Sequence, residues 1–201
     1  MNSLELILQL EHIYNSWGYV LVFFASLVET SPIGFAIPGG LIVALGGFFA
    51  YNNTLSLSGI IIAGSSGMLI TFILAYLLGK KTGLILAKKL KQEFFAEQAK
   101  ILLKNHGAVI LTTSLLATLT RFWVSYVAGV EKYNLIKFIF YAALAALTWN
   151  SLLVTIGYLA GSERTNLETW LSRFGILSWG LVGLAISIIY IKAKREFKSL
   201  K

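Results

Sequence analysis

Two charged residues stand inside sequence that is otherwise fit for a bilayer. Glu29 closes the apolar run Trp17–Val28, and Arg121 lies well inside the apolar stretch 108–129. An intramembrane carboxylate is costly unless it is neutralised, paired or hydrated, so Glu29 reads as a proton-responsive group or part of a polar cavity. The alternative is a carboxylate at the head-group boundary that caps the next helical segment. Arginine stays charged and offers a planar fork of donors that matches phosphate. Arg121 could therefore grip a lipid phosphate or pair with Glu29; the alternative is a side chain snorkelling from the interface. Thr112, Thr113, Ser114, Thr118, Thr120 and Ser125 surround it, either hydrating a cavity or back-bonding to their own helix. Trp149 sits in mid-span, where an interfacial anchor is not expected, and either stacks on a partner helix or faces a passage.

The elements that position these groups are unusual. After Glu29 the chain reads T-S-P-I-G-F-A-I-P-G-G-L-I-V-A-L-G-G-F-F-A, and Pro32 and Pro38 are its only prolines. Proline removes a backbone donor and glycine permits tight turns. Lipid tolerates freed backbone groups only where protein or trapped water satisfies them. Residues 30–50 are thus expected to be re-entrant, a broken element of the kind transporters build around a site. Within it, Gly39, Gly40, Gly46 and Gly47 fall at helical spacing, for close helix packing or for lining a passage.

Composition sets the class. Of 201 residues, 57% are hydrophobic and 13% charged, with a mean hydropathy of +0.75. A soluble domain carries about a quarter charged residues, and several runs here reach the ~20 residues that cross a bilayer. The expectation is an all-α polytopic membrane protein forming one membrane domain over 1–201. The first sixteen residues have no basic n-region or small-residue cleavage site, so no removable signal peptide is expected. There is no cysteine and no aspartate, and His12 and His106 have no ligand-spaced neighbours. Thiol chemistry, a metal centre, a Ser-His-Asp triad and any cofactor are not expected, nor is an enzyme. The formal charge of +8 resides in residues flanking apolar spans, which points to anionic lipid and membrane orientation rather than nucleic acid.

In chain order, residues 3–14 suggest an interfacial helix, with Asn2 and Glu5 as a weak capping box, followed by the short helix Trp17–Val28. A polar turn at 51–58 leads to a span over 59–78. Residues 80–105 form a cytoplasmic amphipathic segment with seven lysines between 80 and 104, lying along the membrane or holding a lipid head group. Two further spans follow, 135–160 and 174–192. The lysine block at 80–104 and the basic tail 192–201 should share the cytoplasmic side. An even number of crossings must then separate them, so the stretch 108–129 is expected to turn back without crossing. A shift of 82 residues supports this, aligning Gly47 with Gly129, Tyr51 with Tyr133 and Tyr76 with Tyr158. The plan is two inverted repeats, 15–79 and 106–161, each a re-entrant helical hairpin followed by a transmembrane helix, with flanking helices.

The motif E-x(2)-P-x(5)-P-G from Glu29 to Gly39, then A-L-G-G-F-F-A, A-Y-L-L-G-K-K-T-G, His106-Gly107, Arg121, Gly129, Phe138, Trp149 and Gly157-Tyr158 resembles the DedA family, also called the VTT or SNARE-associated domain family. The resemblance covers roughly residues 15–161. It implies lipid movement across the membrane: polyprenyl phosphate recycling in bacterial relatives, phospholipid scrambling in eukaryotic ones. It places the family's acid on Glu29 and its second arginine on Arg121. Two departures stand out. Many bacterial members have an acid where this chain has Gly40, and an arginine and nearby proline where it has Leu115 and Thr118.

The function expected is translocation of an anionic lipid, a polyprenyl phosphate first, with proton coupling and a plasma-membrane location, C-terminus inside. Glu29, Pro38, Gly39, Gly40, Arg121, Ser125, Gly129 and Trp149 are the residues expected to bind and pass it. A non-selective phospholipid scramblase, a proton-coupled small-ion or drug transporter, and a scaffold remain as alternatives; oligomerisation of identical chains is left open.

Overall fold

The computed structural model describes residues 3–32, 34, 38–51, 55–107, 110 and 118–162. The expected final span 174–192, the basic tail, the Asn2 cap, residues Thr112, Thr113, Ser114 and Leu115, and the side chains of Thr118 and Thr120 lie outside the described residues. Two compact units divide the chain, residues 9–162 and residues 1–8 with 163–201. The first holds all the described helices, apart from the opening turns of the N-terminal one.

Among the described residues the protein is all-helical: α1 (Ser3–Glu29), α2 (Gly39–Ala50), α3 (Leu57–Thr82), α4 (Ile85–Lys89), α5 (Glu93–His106), α6 (Thr118–Val130) and α7 (Leu135–Ser162). Two of them, α3 and α7, are long and apolar enough to cross a bilayer. One expectation is corrected. Residues 3–14 and Trp17–Val28 are not separate helices but one 27-residue helix. No proline lies between them, and Gly18 packs its bare face against Leu55, where an added β-carbon would lie 2.9 Å from Leu55 Cδ1. The break falls instead after Glu29, at the first proline.

From there the chain doubles back. Thr30 and Ser31 donate backbone bonds to Ser26 and Val28, and Gly34 to Ser31, closing a tight corner. Pro38 leads into α2, and its carbonyl accepts the N–H groups of Leu41 and Ile42. α2 then runs antiparallel to α1: its start lies at Ala25 and Glu29, and Phe49 near its end packs its ring at a tilt on Tyr14, with centroids 4.9 Å apart. At ~1.5 Å per residue, the 12 residues of α2 reach about 18 Å, too short to cross. It forms the second arm of a helical hairpin with α1.

α3 and α7 are antiparallel. Ser65 donates to the Ala146 carbonyl, Asn150 reaches Met68, and Tyr76 stacks on Phe138 at 4.9 Å. The 82-residue shift is realised in space. Asn150 meets Met68, its own equivalent 82 residues earlier. Tyr51 packs on Tyr158, while the Tyr76 hydroxyl bonds the Tyr133 carbonyl; each pair is the other after exchange of the repeats. The short helix of each half crosses the long helix of the other on glycine. A β-carbon at Gly47 would overlap the Val154 carbonyl, and one at Gly157 the Ala44 carbonyl; Gly129 and Gly79 stand likewise against Tyr76 and Tyr126. Lipid gives helices no hydrophobic reason to associate, so such close van der Waals approach is what holds them.

The lysine-rich segment forms two helices, α4 and α5. α5 packs a stripe of Ala96, Ala99 and Leu103 on α6, fixed by Trp123 donating to Gln92 at 3.0 Å and by the ion pair Lys100–Glu131 at 3.0 Å.

Candidate functional site

Depth follows from helical rise. Trp17 and Tyr19 are exposed at the level of Ser56, whose N–H the Tyr19 hydroxyl accepts, and they mark one interface. Lys80 and Lys81 end α3 at the other. Glu29 is ten residues below Tyr19, about 15 Å, which is half the ~30 Å hydrocarbon core. Leu27 accepts a bond from Thr71, near the middle of α3. Glu29 therefore lies alongside the middle of α3.

Among the described residues two charges are buried, and both are there: Glu29, 9% exposed, and Arg121, 1% exposed. The Arg121 guanidinium lies over the Trp149 ring, 4.2 Å from its centroid, and Trp149 is at the middle of α7. By this cation–π contact the Trp149 ring seats the arginine of α6. Glu29 and Arg121 act on each other electrostatically. The Glu29 carboxylate stands over the first turn of α2, which begins without a side-chain cap, so the positive end of that helix faces it. A β-carbon at Gly39 would lie 2.6 Å from Glu29 Cβ and 3.0 Å from Oε2; only glycine lets the acid approach. A β-carbon at Gly40 would lie 3.4 Å from both Glu29 Oε1 and Leu153 Cδ1, and Leu153 is one turn beyond Trp149. Along one edge of α7, then, Trp149 holds the cation and Leu153 borders the anion.

The other expected site residues take supporting places. Pro38 sets the start of α2, and Gly129 is a crossing point. Ser125 is buried, but its hydroxyl donates to the Arg121 carbonyl at 2.9 Å, the back-bonding alternative. Sequence reasoning missed a polar seam beside the charges. Asn150 accepts from Ser26 at 3.2 Å and donates to the Ala146 carbonyl at 2.9 Å; Ser65 and Thr71 bond carbonyls of α7 and α1. The available signal was Asn150 itself, a mid-span amide opposite its repeat equivalent Met68.

A family model for the VTT domain matches residues 37–159, more than half of the chain. The chain belongs to the VTT-domain (DedA) family. It is 28% identical over 189 residues to the "Uncharacterized membrane protein slr0232" of Synechocystis, covering 90% of this chain and 84% of that one. It is 30% identical over 202 residues to an "Alkaline phosphatase-like protein" of Lactococcus lactis subsp. cremoris (93% and 88%), and 24% identical over 164 residues to "Undecaprenyl phosphate transporter A" of Bacillus subtilis (79% and 83%). No solved structure matches it. This VTT-domain chain is an integral membrane protein, with a helical fold. Its glycine at position 40 leaves Glu29 as the buried acid described in the site; a carboxylate there would stand against it.

Proposed function

We propose that this protein carries an anionic phospholipid-type carrier, a polyprenyl phosphate, across the bilayer. The observation that carries the reading is the buried pair of opposite charges, with Arg121 seated on Trp149 and Glu29 over the start of α2. A phosphate brought to membrane depth needs a charged partner, because isolated ions there are very costly. Arg121 takes the head group, Glu29 exchanges a proton as the site switches faces, and the polyprenyl tail stays in lipid. The relative named for undecaprenyl phosphate transport supports the substrate class. The repeats run 15–79 and 106–161, the lysine segment and C-terminus are cytoplasmic, and the membrane is the plasma membrane. Transport is preferred to the hydrolysis that the phosphatase-like names imply: the chain has no aspartate or cysteine, and no cluster of His, Cys, Asp or Glu among the described residues could hold a metal ion.

The test is transbilayer movement of labelled polyprenyl phosphate in proteoliposomes, beside ordinary phospholipid, with and without a pH gradient. Wild type should move the phosphate lipid selectively. Arg121→Ala should lose it at least tenfold, since a charge-assisted bond is worth about 1.5–3 kcal/mol, and Glu29→Gln should lose the response to the gradient. Equal movement of every lipid, indifferent to both variants, would replace this reading with a phospholipid scramblase. The buried hydroxyls and amide at Ser26, Ser65, Thr71 and Asn150 are the feature that favours this second reading, since they could hydrate a path without selecting charge.

A further inference from the structure

We infer that the Trp149 indole N–H is itself a ligand to the substrate's head group, with the Ser31 hydroxyl as a second donor; this deepens the reading above and rests on it. Among the described residues, the Trp149 Nε1 and Ser31 Oγ atoms are sealed from solvent and make no hydrogen bond. Buried donors are almost always satisfied, and an exception calls for an explanation. Here the exception is selective. The very next residue, Asn150, is bonded to Ser26, Ala146 and Met68, and Thr30, beside Ser31, is bonded to the Ser26 carbonyl at 2.9 Å.

The two groups are also placed, not loose. The guanidinium 4.2 Å from the Trp149 centroid covers one face of the ring and fixes its orientation, so its N–H has a set direction. Ser31 is two residues past Glu29 in the re-entrant corner, with its N–H bonded to Val28 at 2.9 Å and its carbonyl accepting from Gly34 at 3.0 Å. Indole nitrogen only donates. Its partner must therefore be an acceptor, which selects phosphate oxygen and disfavours an ammonium in the same place. Trp149 thus has two roles, a π-face that seats Arg121 and an edge that bonds the ligand.

These roles separate by substitution. Trp149→Phe keeps an aromatic face and loses the N–H; Trp149→Leu loses both; Ser31→Ala removes the hydroxyl with little risk to folding. Binding of farnesyl phosphate to the detergent-solubilised full chain is measured by calorimetry, with farnesol as the uncharged control. In parallel, the indole N–H signals of the five tryptophans are followed by nuclear magnetic resonance of 15N-tryptophan-labelled protein. Trp149→Phe should bind about tenfold more weakly, Trp149→Leu more weakly still, and Ser31→Ala several-fold. The indole signal absent from Trp149→Phe should move downfield with farnesyl phosphate and stay in place with farnesol. If that signal does not move while wild type binds, or if Trp149→Phe binds as tightly as wild type, this inference is overturned and the transport reading stands. If wild type binds no farnesyl phosphate, both fall together.

Discussion

At the scale of single residues, membrane depth makes polar side chains expensive, and that expense is what exposes them in a sequence. Glu29, Arg121 and Trp149 could be singled out because no apolar span needs them. Their convergence could not, since Trp149 follows Arg121 by 28 positions and the side that each helix turns inward is decided by packing. Asn150 escaped notice for the same reason: an amide next to a tryptophan gives no sign of the Ser26 hydroxyl that meets it from α1. It is a demanding position nonetheless. Asn150→Ala leaves the Ser26 hydroxyl buried and unmatched beside a small void, and should cost about 1–3 kcal/mol. Thr148→Ala, an exposed hydroxyl bonded only to the Leu144 carbonyl, should stay within about 0.5 kcal/mol. Thermal unfolding in detergent compares them, and equal melting temperatures would remove the seam from any structural role.

Helices were legible in kind and less so in extent. Proline placed the break after Glu29 correctly, because a missing N–H is a local fact. The boundary near Trp17 was misplaced because aromatic belt residues mark a depth, not the end of a helix, and α1 runs through them. The glycines at helical spacing turn out to be crossing points rather than the wall of a passage at Gly47, where the Val154 carbonyl sits against the bare backbone. Gly47→Val and Gly157→Val should each separate α2 from α7, at a cost of about 1–3 kcal/mol or more. Ile136→Ala, at an 80% exposed position, should be close to neutral. The share of monodisperse protein on gel filtration reads this directly; glycine variants that run like wild type would mean the helices do not approach so closely.

For the molecule as a whole, the repeat was the most informative sign. Tyrosines 82 positions apart are matched in sequence, and the cross-pairs Tyr51–Tyr158 and Tyr76–Tyr133 show why both places require them. Orientation follows. With no native cysteine in the chain, Tyr51→Cys and Tyr133→Cys can be made singly and treated with a membrane-impermeant maleimide on intact cells. Tyr51→Cys should react from outside, and Tyr133→Cys only after the membrane is opened. Labelling of both from the same side would defeat the inverted arrangement.

The proposed placement of the Glu29–Arg121 site at mid-depth has an electrical consequence. A unit charge crossing the whole membrane does work of about 2.3 kcal/mol per 100 mV. A charge halted beside Trp149, halfway through, has done about half of it, on the order of 1.2 kcal/mol per 100 mV. Voltage therefore weighs equally on the two half-journeys of the proposed anionic head group, favouring both in one direction of crossing and opposing both in the other. An imposed potential should shift which leaflet fills the site without changing how tightly the site closes on what it holds.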